Sequence, residues 1–518
     1  MIKVDVLVIG TGIAGAVTAL TAARGGAEVC LLHQSDDLDQ TNTRWAQGGI
    51  VYTGPGDRPE LLVKDIQAAG AGISLPEAAR ILAEEGPRLV KAILIDQLGV
   101  PFDRAADGEL DVTHEAAHSV PRIIHCEDRI GWGIQEALYE ATAAEPRITM
   151  RRSWSAIDLL TLSHHSRDPL DIYKPQKCLG AYVLDQASGR VETILARHTV
   201  LATGGLGAIY LHSTNPGGAR GDGIAMAYRA GARLNNLEYI QFHPTALYHR
   251  LARRFLISES VRGEGGRLVL ANGEEFMQRH HPQGSLAPRD VVARAIHEEL
   301  LASDSPCVYL DLTHKDANWI RERFPTIHGE CEKVDIDITR QPIPVVPAAH
   351  YCCGGVATDL LGRTTIDRLW AVGEVACTGV HGANRLASTS LLEGLVFGHR
   401  AAQAIAEDMG RQAGADEMPP IDPWVDESES ADPALILQDW LTINYTMWNY
   451  VGLARTQKRL KRARHILQEL REEVEDFYER TKIDDGLIGL RNGVQTALAV
   501  LYAAQQNHTS RGCHYLGK

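Results

Sequence analysis

The sequence predicts an α/β protein: a Rossmann-like dinucleotide-binding domain, interrupted by an inserted α+β capping domain and followed by a C-terminal helical bundle. Three observations predict it. An apolar, β-branched run at 4–9 leads directly into Gly10-Thr11-Gly12-Ile13-Ala14-Gly15 and then an Ala-rich helix. Between 237 and 350 the texture changes, with many His, Arg, Pro and Gly residues and fewer long apolar runs. Near the end, Leu460, Ala463, Leu467, Leu470, Val474 and Phe477 recur every three or four residues, a helical stripe. The divisions that follow are 1–236 and 352–420 for the two parts of the dinucleotide domain, 237–351 for the cap, and 421–518 for linker and bundle. A length of 518 residues suits about three domains.

The elements follow in order. Residues 16–24 form the first helix, stopped by Gly25-Gly26, and 27–32 the second strand. Residues 57–150 alternate helices with loops. Strands are expected near 179–185, 191–202 and 369–372, and helices over 221–234 and 391–405. A polar Gly/Pro/Asp/Glu/Ser-rich stretch at 411–433 reads as a linker.

Charge narrows the function. Lys and Arg total 52 against 66 Asp and Glu, a net charge of −14, which argues against nucleic acid or an anionic membrane as partner. An anionic substrate would then need a local cluster of Arg and His to oppose the global field. The nine cysteines are scattered without a CxxC, so neither a disulfide framework nor a metal site is expected. The opening Met1-Ile2-Lys3-Val4-Asp5 lacks the features of a secretory signal, and no apolar stretch is long enough to span a bilayer. The expectation is a cytoplasmic protein.

The glycine fingerprint has a physical division of labour. Gly10 makes the tight turn, Gly12 lets backbone approach a pyrophosphate, and Gly15 lets helix and strand pack closely; the helix start offers free N–H groups and the positive dipole end. The second strand ends in His33-Gln34 rather than in an acid, the nearest being Asp36 and Asp37. That disfavours NAD more than FAD, because an amide also bonds a ribose; Gln34 is the candidate, an ordinary surface glutamine the alternative. Two later pieces fit a flavin: a strand running into Ala202-Thr203-Gly204-Gly205, and one ending in Gly373-Glu374, whose carboxylate suits ribityl or ribose hydroxyls. Ser390 reads as a helix N-cap with Glu393 three residues on. A helix start aimed at the flavin N1/O2 edge would stabilise the negative charge that grows there on reduction.

The substrate candidates lie in segments where His and Arg neighbour Gly, Pro and Ala, a loop-like context in which sites tend to sit. They include Gln241-Phe242-His243-Pro244-Thr245, the stretch 258–265, Ala287-Pro288-Arg289-Asp290, Ala348-Ala349-His350-Tyr351 and His381-Gly382-Ala383-Asn384-Arg385. Any one of these alone is more often structural. The basic run at 458–464 sits on the amphipathic C-terminal stretch with acids following it, a solvated helix face rather than an RNA site.

On these motifs the chain resembles the succinate dehydrogenase/fumarate reductase flavoprotein superfamily, in its aspartate-oxidising branch, nearly from end to end. The resemblance implies roles. His243, Ser258, His350 and Arg385 would hold the two carboxylates of a C4 dicarboxylate, Arg385 by its planar fork. Arg289 would transfer the proton, with Glu259 and Arg262 as its relay. Asn42, Thr43, Ala46, Gln47, Gly48, Gly49, Ser155, Ala156, Asp222, Glu374, Ser390 and Leu391 would line FAD, beside the fingerprint residues Gly10 to Gly15 and Ala202, Thr203 and Gly204.

Two departures select the branch. Succinate dehydrogenases and fumarate reductases typically attach FAD through a His five residues before the Gln of Ala-Gln-Gly-Gly; that Gln is Gln47, and position 42 is Asn42. An amide cannot make the bond, so FAD is expected to be non-covalent and of lower potential, which disfavours succinate oxidation. Glu115 stands where the branch pairs the substrate ammonium, although the Gly-Gly usual after it is Ala116-Ala117 here; a surface Glu in a polar loop is the alternative. The implied reaction is oxidation of L-aspartate to 2-iminosuccinate, with O2 (giving H2O2) or fumarate (giving succinate) reoxidising the flavin. It would be the first step of de novo NAD biosynthesis, with hand-over to quinolinate synthase as the partner expectation. Direct amine oxidation and a succinate-like Cα/Cβ elimination both satisfy this residue set. The competing reading is a soluble fumarate reductase or a succinate dehydrogenase flavoprotein subunit.

Overall fold

The computed structural model describes residues 1–517 apart from 116, 128, 253–254, 412–418 and 428. Its main sheet begins with β1 (Ile2–Ile9), followed by α1 (Ile13–Arg24) and β2 (Val29–His33). β3 (Ile148–Arg152), β4 (Trp154–Thr161), β5 (Cys178–Asp185) and β6 (Arg190–Leu201) complete its chain order. The sheet runs β3-β2-β1-β6-β5-β4. The β3, β2, β1 and β6 neighbours are parallel, and β5 pairs antiparallel with both β6 and β4. The parallel half is buried on both faces, which is why Val6, Leu7, Val8, Val29, Cys30, Leu31 and Leu32 form continuous apolar runs.

After α2 (Asp222–Arg229) the chain enters β7 (Ile240–Leu247), α3 (Glu259–Gly263), β8 (Arg267–Val269), α4 (Arg289–Ser303), β9 (Val308–Asp311) and β10 (Ile343–Cys352). These strands form a separate four-stranded antiparallel sheet, β7-β10-β9-β8, over a core of its own that includes Ile257, Phe276, Ile296 and Phe324. The chain then returns to the first sheet: β11 (Leu369–Ala371) pairs parallel with the end of β6. α5 (Ser390–Arg411) crosses α1 closely. Gly394 and Gly398 permit that approach, because a Cβ on Gly398 would meet Ala14 O at 2.7 Å.

Three helices end the fold: α6 (Pro433–Val451), α7 (Gln457–Arg480) and α8 (Asp485–Gln506). Their apolar faces join the core of the main sheet through Leu460, Leu467, Leu490 and Val494. All nine cysteines are free and buried. No helix among the described residues is long and apolar enough to cross a membrane.

Several local expectations need correction. The helix expected over 221–234 stops at Arg229, and Leu234 pairs instead as a short strand with Val356, because Gly231 takes a left-handed φ of 85°. The aromatic buried on α7 is Tyr478, with Phe477 only partly covered. Part of the 411–433 stretch, 412–418 and 428, lies outside the described residues. The rest of it is more than a spacer: Ile421 is buried, Trp424 packs edge-on against Tyr182 with ring centroids 5.4 Å apart, and Tyr182 donates to Asp422 O at 2.6 Å. Ser390 is the first residue of α5 rather than its cap. The Glu393 carboxylate turns inward to accept from Thr378 Oγ1 at 2.5 Å and from Tyr351 OH at 2.8 Å, with His381 Nε2 also 2.8 Å away.

Candidate active site

One cavity of about 2040 Å³ runs from the fingerprint turn to the four-stranded sheet. Every site residue expected from the sequence borders it except Gly15 and Ser155. Both exceptions have a reason. A Cβ on Gly15 would sit 1.9 Å from Gly10 O, so this glycine serves the contact of α1 with the turn. Ser155 points its hydroxyl at the Asp485 carboxylate, 2.6 Å away, behind the wall that Ala156 lines.

The residues at the fingerprint end fit FAD. Gly10 has φ 114°, and a Cβ there would meet Ala202 O at 2.2 Å. α1 begins without a side-chain cap and without an acid in its first turn, so its positive end faces the cavity unneutralised. Thr43 Oγ1 takes Ile13 N at 2.9 Å and holds the 41–49 loop against that helix start. Asn42 Oδ1, Gln47 Oε1 and Thr203 Oγ1 are buried at this cavity with no hydrogen-bond partner among the described residues. Orphaned polar atoms of this kind suit the hydroxyl, carbonyl and ring-nitrogen groups of FAD. Asn42 Nδ2 donates to Glu374 Oε2 at 2.6 Å, and burial raises the Glu374 carboxyl to about 7. An amide committed in this way makes no covalent flavin bond, and the FAD is bound non-covalently.

At the other end, three arginines and two histidines from five segments converge. His243 and His350 come from adjacent strands β7 and β10, with ring centroids 5.4 Å apart. Gln241 pairs with Tyr351 and Phe242 with Ala349, which leaves His350 as the extra residue of a β-bulge. Bulges re-aim side chains in this manner. His243 Nδ1 accepts Thr245 N at 3.2 Å, so neutral His243 carries its proton on Nε2. Burial first, then the surrounding arginines, lowers both histidines well below their ordinary value.

Arg289, the first residue of α4, donates Nε to Glu259 Oε2, and Arg262 Nη2 lies 3.6 Å from Glu259 Oε1. Arg262, Glu259 and Arg289 therefore form one chain of contacts. Burial would raise the Glu259 carboxyl, but Arg289 and Arg262 outweigh it and hold it below its usual range. Burial lowers Arg262, whereas Glu259 outweighs burial and raises Arg289. Ser258 caps α3, accepting Ser260 N at 3.3 Å.

Arg385 forms no ion pair among the described residues. Its guanidinium lies 4.8 Å over the Tyr351 ring, with Nη1 at 3.4 Å from Ser390 Oγ and from Leu386 O, while Nε is buried without a partner among the described residues. Burial lowers its pKa. Gln241 Nε2 steadies the loop by donating to Asn384 Oδ1 at 2.7 Å and to Arg385 O at 2.9 Å. Glu115 enters the same cavity from another loop and accepts Ser388 Oγ at 2.6 Å.

Some of these neighbours carry no sequence signal. Behind the Glu115 loop, Arg122 is fully buried between Asp57 and Asp65, at 3.0 and 2.7 Å. Ser388, beside Glu115, and Thr214, whose Oγ1 is 2.8 Å from His350 Nδ1, are equally silent. Asp485, on the far C-terminal bundle, also lines the cavity, and no local pattern marks it. The Glu393 cluster had a signal that was ambiguous: an acid three residues into a helix reads as a capping box.

Comparison with known proteins agrees with this geometry. Residues 5–391 match the FAD binding domain family, and residues 441–516 match the fumarate reductase flavoprotein C-terminal family. L-aspartate oxidase 1 of Ralstonia nicotianae is 47% identical over 517 residues, covering 99% of this chain and 94% of that protein. The chloroplastic L-aspartate oxidase of Arabidopsis thaliana is 40% identical over 538 residues, covering 99% and 80%. Among solved structures, a chain of E. coli quinol fumarate reductase has a TM-score of 0.88 at 28% identity, covering 100% of this chain and 91% of that one. The adenylylsulfate reductase of Archaeoglobus fulgidus, at 18% identity and a TM-score of 0.71, shares the fold alone. With a dinucleotide cradle and a buried cationic cluster in one cavity, this chain is an FAD-dependent oxidoreductase and belongs to the L-aspartate oxidase family of succinate dehydrogenase/fumarate reductase flavoproteins.

Proposed function

We propose that the protein oxidises L-aspartate to 2-iminosuccinate, the entry reaction of de novo NAD biosynthesis, and that O2 or fumarate takes the electrons onward. The observation that carries the reading is a half-buried carboxylate, Glu115, in the same cavity as His243, Arg262, Arg289, His350 and Arg385. A cationic cluster alone suits any C4 diacid. A carboxylate facing it suits a diacid that also bears an ammonium.

Bound FAD supplies the two-electron acceptor. The side chains do the rest. Arg385 grips one carboxylate with its fork, its Nε and Nη2 free of stronger protein partners and its plane braced by Tyr351. His243, through its Nε2 proton, and His350 with Ser258 bond the other. Because the two histidines are neutral before binding, a dianion arriving beside them draws protons toward the site. Glu115 pairs the ammonium. Arg289 would take up the proton that leaves aspartate as it passes its own Nε proton to Glu259, with Arg262 beside Glu259 continuing the relay; a lone guanidinium is a poor base, and this contact supplies the outlet that lets it accept. The four-stranded sheet and α4 carry His243, His350 and Arg289, so approach of this unit to the flavin domain would exclude water before transfer.

The test is anaerobic mixing of the holoenzyme with L-aspartate while the flavin absorbance is followed. Aspartate should bleach it, and succinate at the same concentration should leave it nearly unchanged. Bleaching by succinate and not by aspartate would reverse the assignment. Reoxidation by fumarate or by O2, followed in the same cell, identifies the acceptor. Fumarate is supported by the likeness to fumarate reductases. Hand-over of the imine to quinolinate synthase is proposed from the likeness to L-aspartate oxidases.

A further inference from the structure

Dinucleotide-binding α/β domains commonly hold a ribose hydroxyl with an acid at the end of the second strand. Here β2 ends in His33-Gln34, and that acid is missing. Asp36 and Asp37 border the cavity at its exposed rim, and the Asp37 carboxylate is taken up within its own turn, accepting from Asp39 N at 3.0 Å and Gln40 Nε2 at 2.9 Å. Two carboxylates nevertheless stand at the strand end, both bordering the cavity. Asp222 Oδ2 lies 3.4 Å from Gln34 Nε2 and its side chain is only 13% exposed, whereas Asp485, the first residue of α8, accepts Gln34 Nε2 at 2.9 Å and is more open.

Its surroundings are built to hold it there. Asp485 Oδ1 also accepts Ser155 Oγ at 2.6 Å and Arg220 Nη2 at 3.0 Å, while Oδ2, among the described residues, takes only Arg220 Nη1, at 2.9 Å. A carboxylate offers about four acceptor sites, two on each oxygen. Oδ1 is saturated and Oδ2 is not. A third of the side-chain surface, 33%, is uncovered. Arg220 also grips Asp222 at 3.0 Å, so one guanidinium ties the bundle to the flavin domain at the cavity wall.

We infer that Asp485 supplies the ribose-binding acid that β2 lacks: it accepts a hydroxyl of the adenosine ribose of FAD, and docking of the C-terminal bundle is thereby coupled to cofactor retention. Gln34, Ser155 and Arg220 position the carboxylate. The bundle thus contributes a side chain to the cofactor site in addition to its apolar packing.

The test is cofactor exchange on the holoenzyme. Wild-type holoenzyme and the Asp485→Asn variant are each equilibrated with equal, excess FAD and an FAD analogue lacking the 2′- or the 3′-hydroxyl of the adenosine ribose, and the bound flavins are then quantified by chromatography. Wild type should prefer FAD over one of the two analogues by roughly 10- to 100-fold, the value of a hydrogen bond to a charged acceptor. Asp485→Asn should retain FAD more weakly and lose most of that preference. A purely structural ion pair with Arg220 predicts weaker retention with the preference intact, and that result would overturn the inference. Equal binding of FAD and both analogues by wild type also overturns it, and Ser155→Ala, which frees the Asp485 carboxylate from one of its holders, should weaken the preference if Asp485 makes the contact; an unchanged preference there overturns it as well. Hydrogen exchange gives a second reading: amides at the start of α8 should lose protection when FAD is stripped from the wild-type chain, and unchanged protection would remove the coupling.

Discussion

Glu115→Gln separates the two halves of the proposed substrate recognition. The change is isosteric, and the amide oxygen can still accept from Ser388 Oγ, so the loop should keep its shape. What is lost is a negative charge facing a substrate ammonium. The carboxylate accepts from Ser388 Oγ and its charge is also felt by Arg289 and His118, but it forms no ion pair among the described residues, which leaves room for a ligand cation. A hydrogen bond to a charged group is worth about 1.5–3 kcal/mol. Glu115 is half-buried, so solvent screens part of this and the lower end applies. kcat/KM for L-aspartate should therefore fall about 10- to 30-fold, mostly in KM. Fumarate carries the same two carboxylates and no amine. Its reduction with a dye donor should change by less than about threefold, since it never used the lost contact. Steady-state kinetics of both reactions on one enzyme batch, normalised to flavin content, provide the comparison. Equal losses with the two substrates would show that Glu115 supports the site generally, and the ammonium contact would be abandoned.

Other outcomes follow from the same geometry. Arg289→Leu should retain FAD and lose about 10²- to 10⁴-fold in kcat, the usual value of a positioned proton-transfer group; near-normal turnover in stopped-flow would remove that role. Acid precipitation should leave the flavin in the supernatant because Asn42 cannot bond it, and a yellow pellet would contradict this. The third concerns stability. Burial pushes His198 and His514 down to about 4 in the folded chain, against about 6.5 unfolded. Between those values the unfolded chain binds more protons, so stability is full above about pH 6.5 and is lost as pH falls toward 4. The thermal midpoint should drop from pH 7.5 to pH 5, and His514→Gln should shrink the drop; identical pH slopes for variant and wild type would refute the assignment.

The legible part of the molecule was the locally encoded part. A strand with both faces buried must be apolar throughout, and a turn with φ 114° must be glycine, so 4–15 announced both β1 and the phosphate cradle. The stripe of α7 was equally plain because one helix face meets the core. Where the chain erred, long-range contacts had decided. Glu393 reads as a cap partner, yet its carboxylate is claimed by Thr378, His381 and Tyr351 from other segments. Ser155 and Gln34 read as cofactor contacts, yet both also serve Asp485.

By itself, the sequence determined the dinucleotide turn, the replacement of a flavin-bonding histidine by Asn42, and the inventory of arginines and histidines for a diacid. Each depends on residue type and near neighbours. Only the tertiary structure decided that His243, Arg289, His350 and Arg385 share one cavity, that a bulge turns His350 into it, and that a carboxylate from α8 stands at the end of β2. The physical reason is that convergence depends on how sheets and helices pack across hundreds of residues, and no local period records which distant side chains will meet.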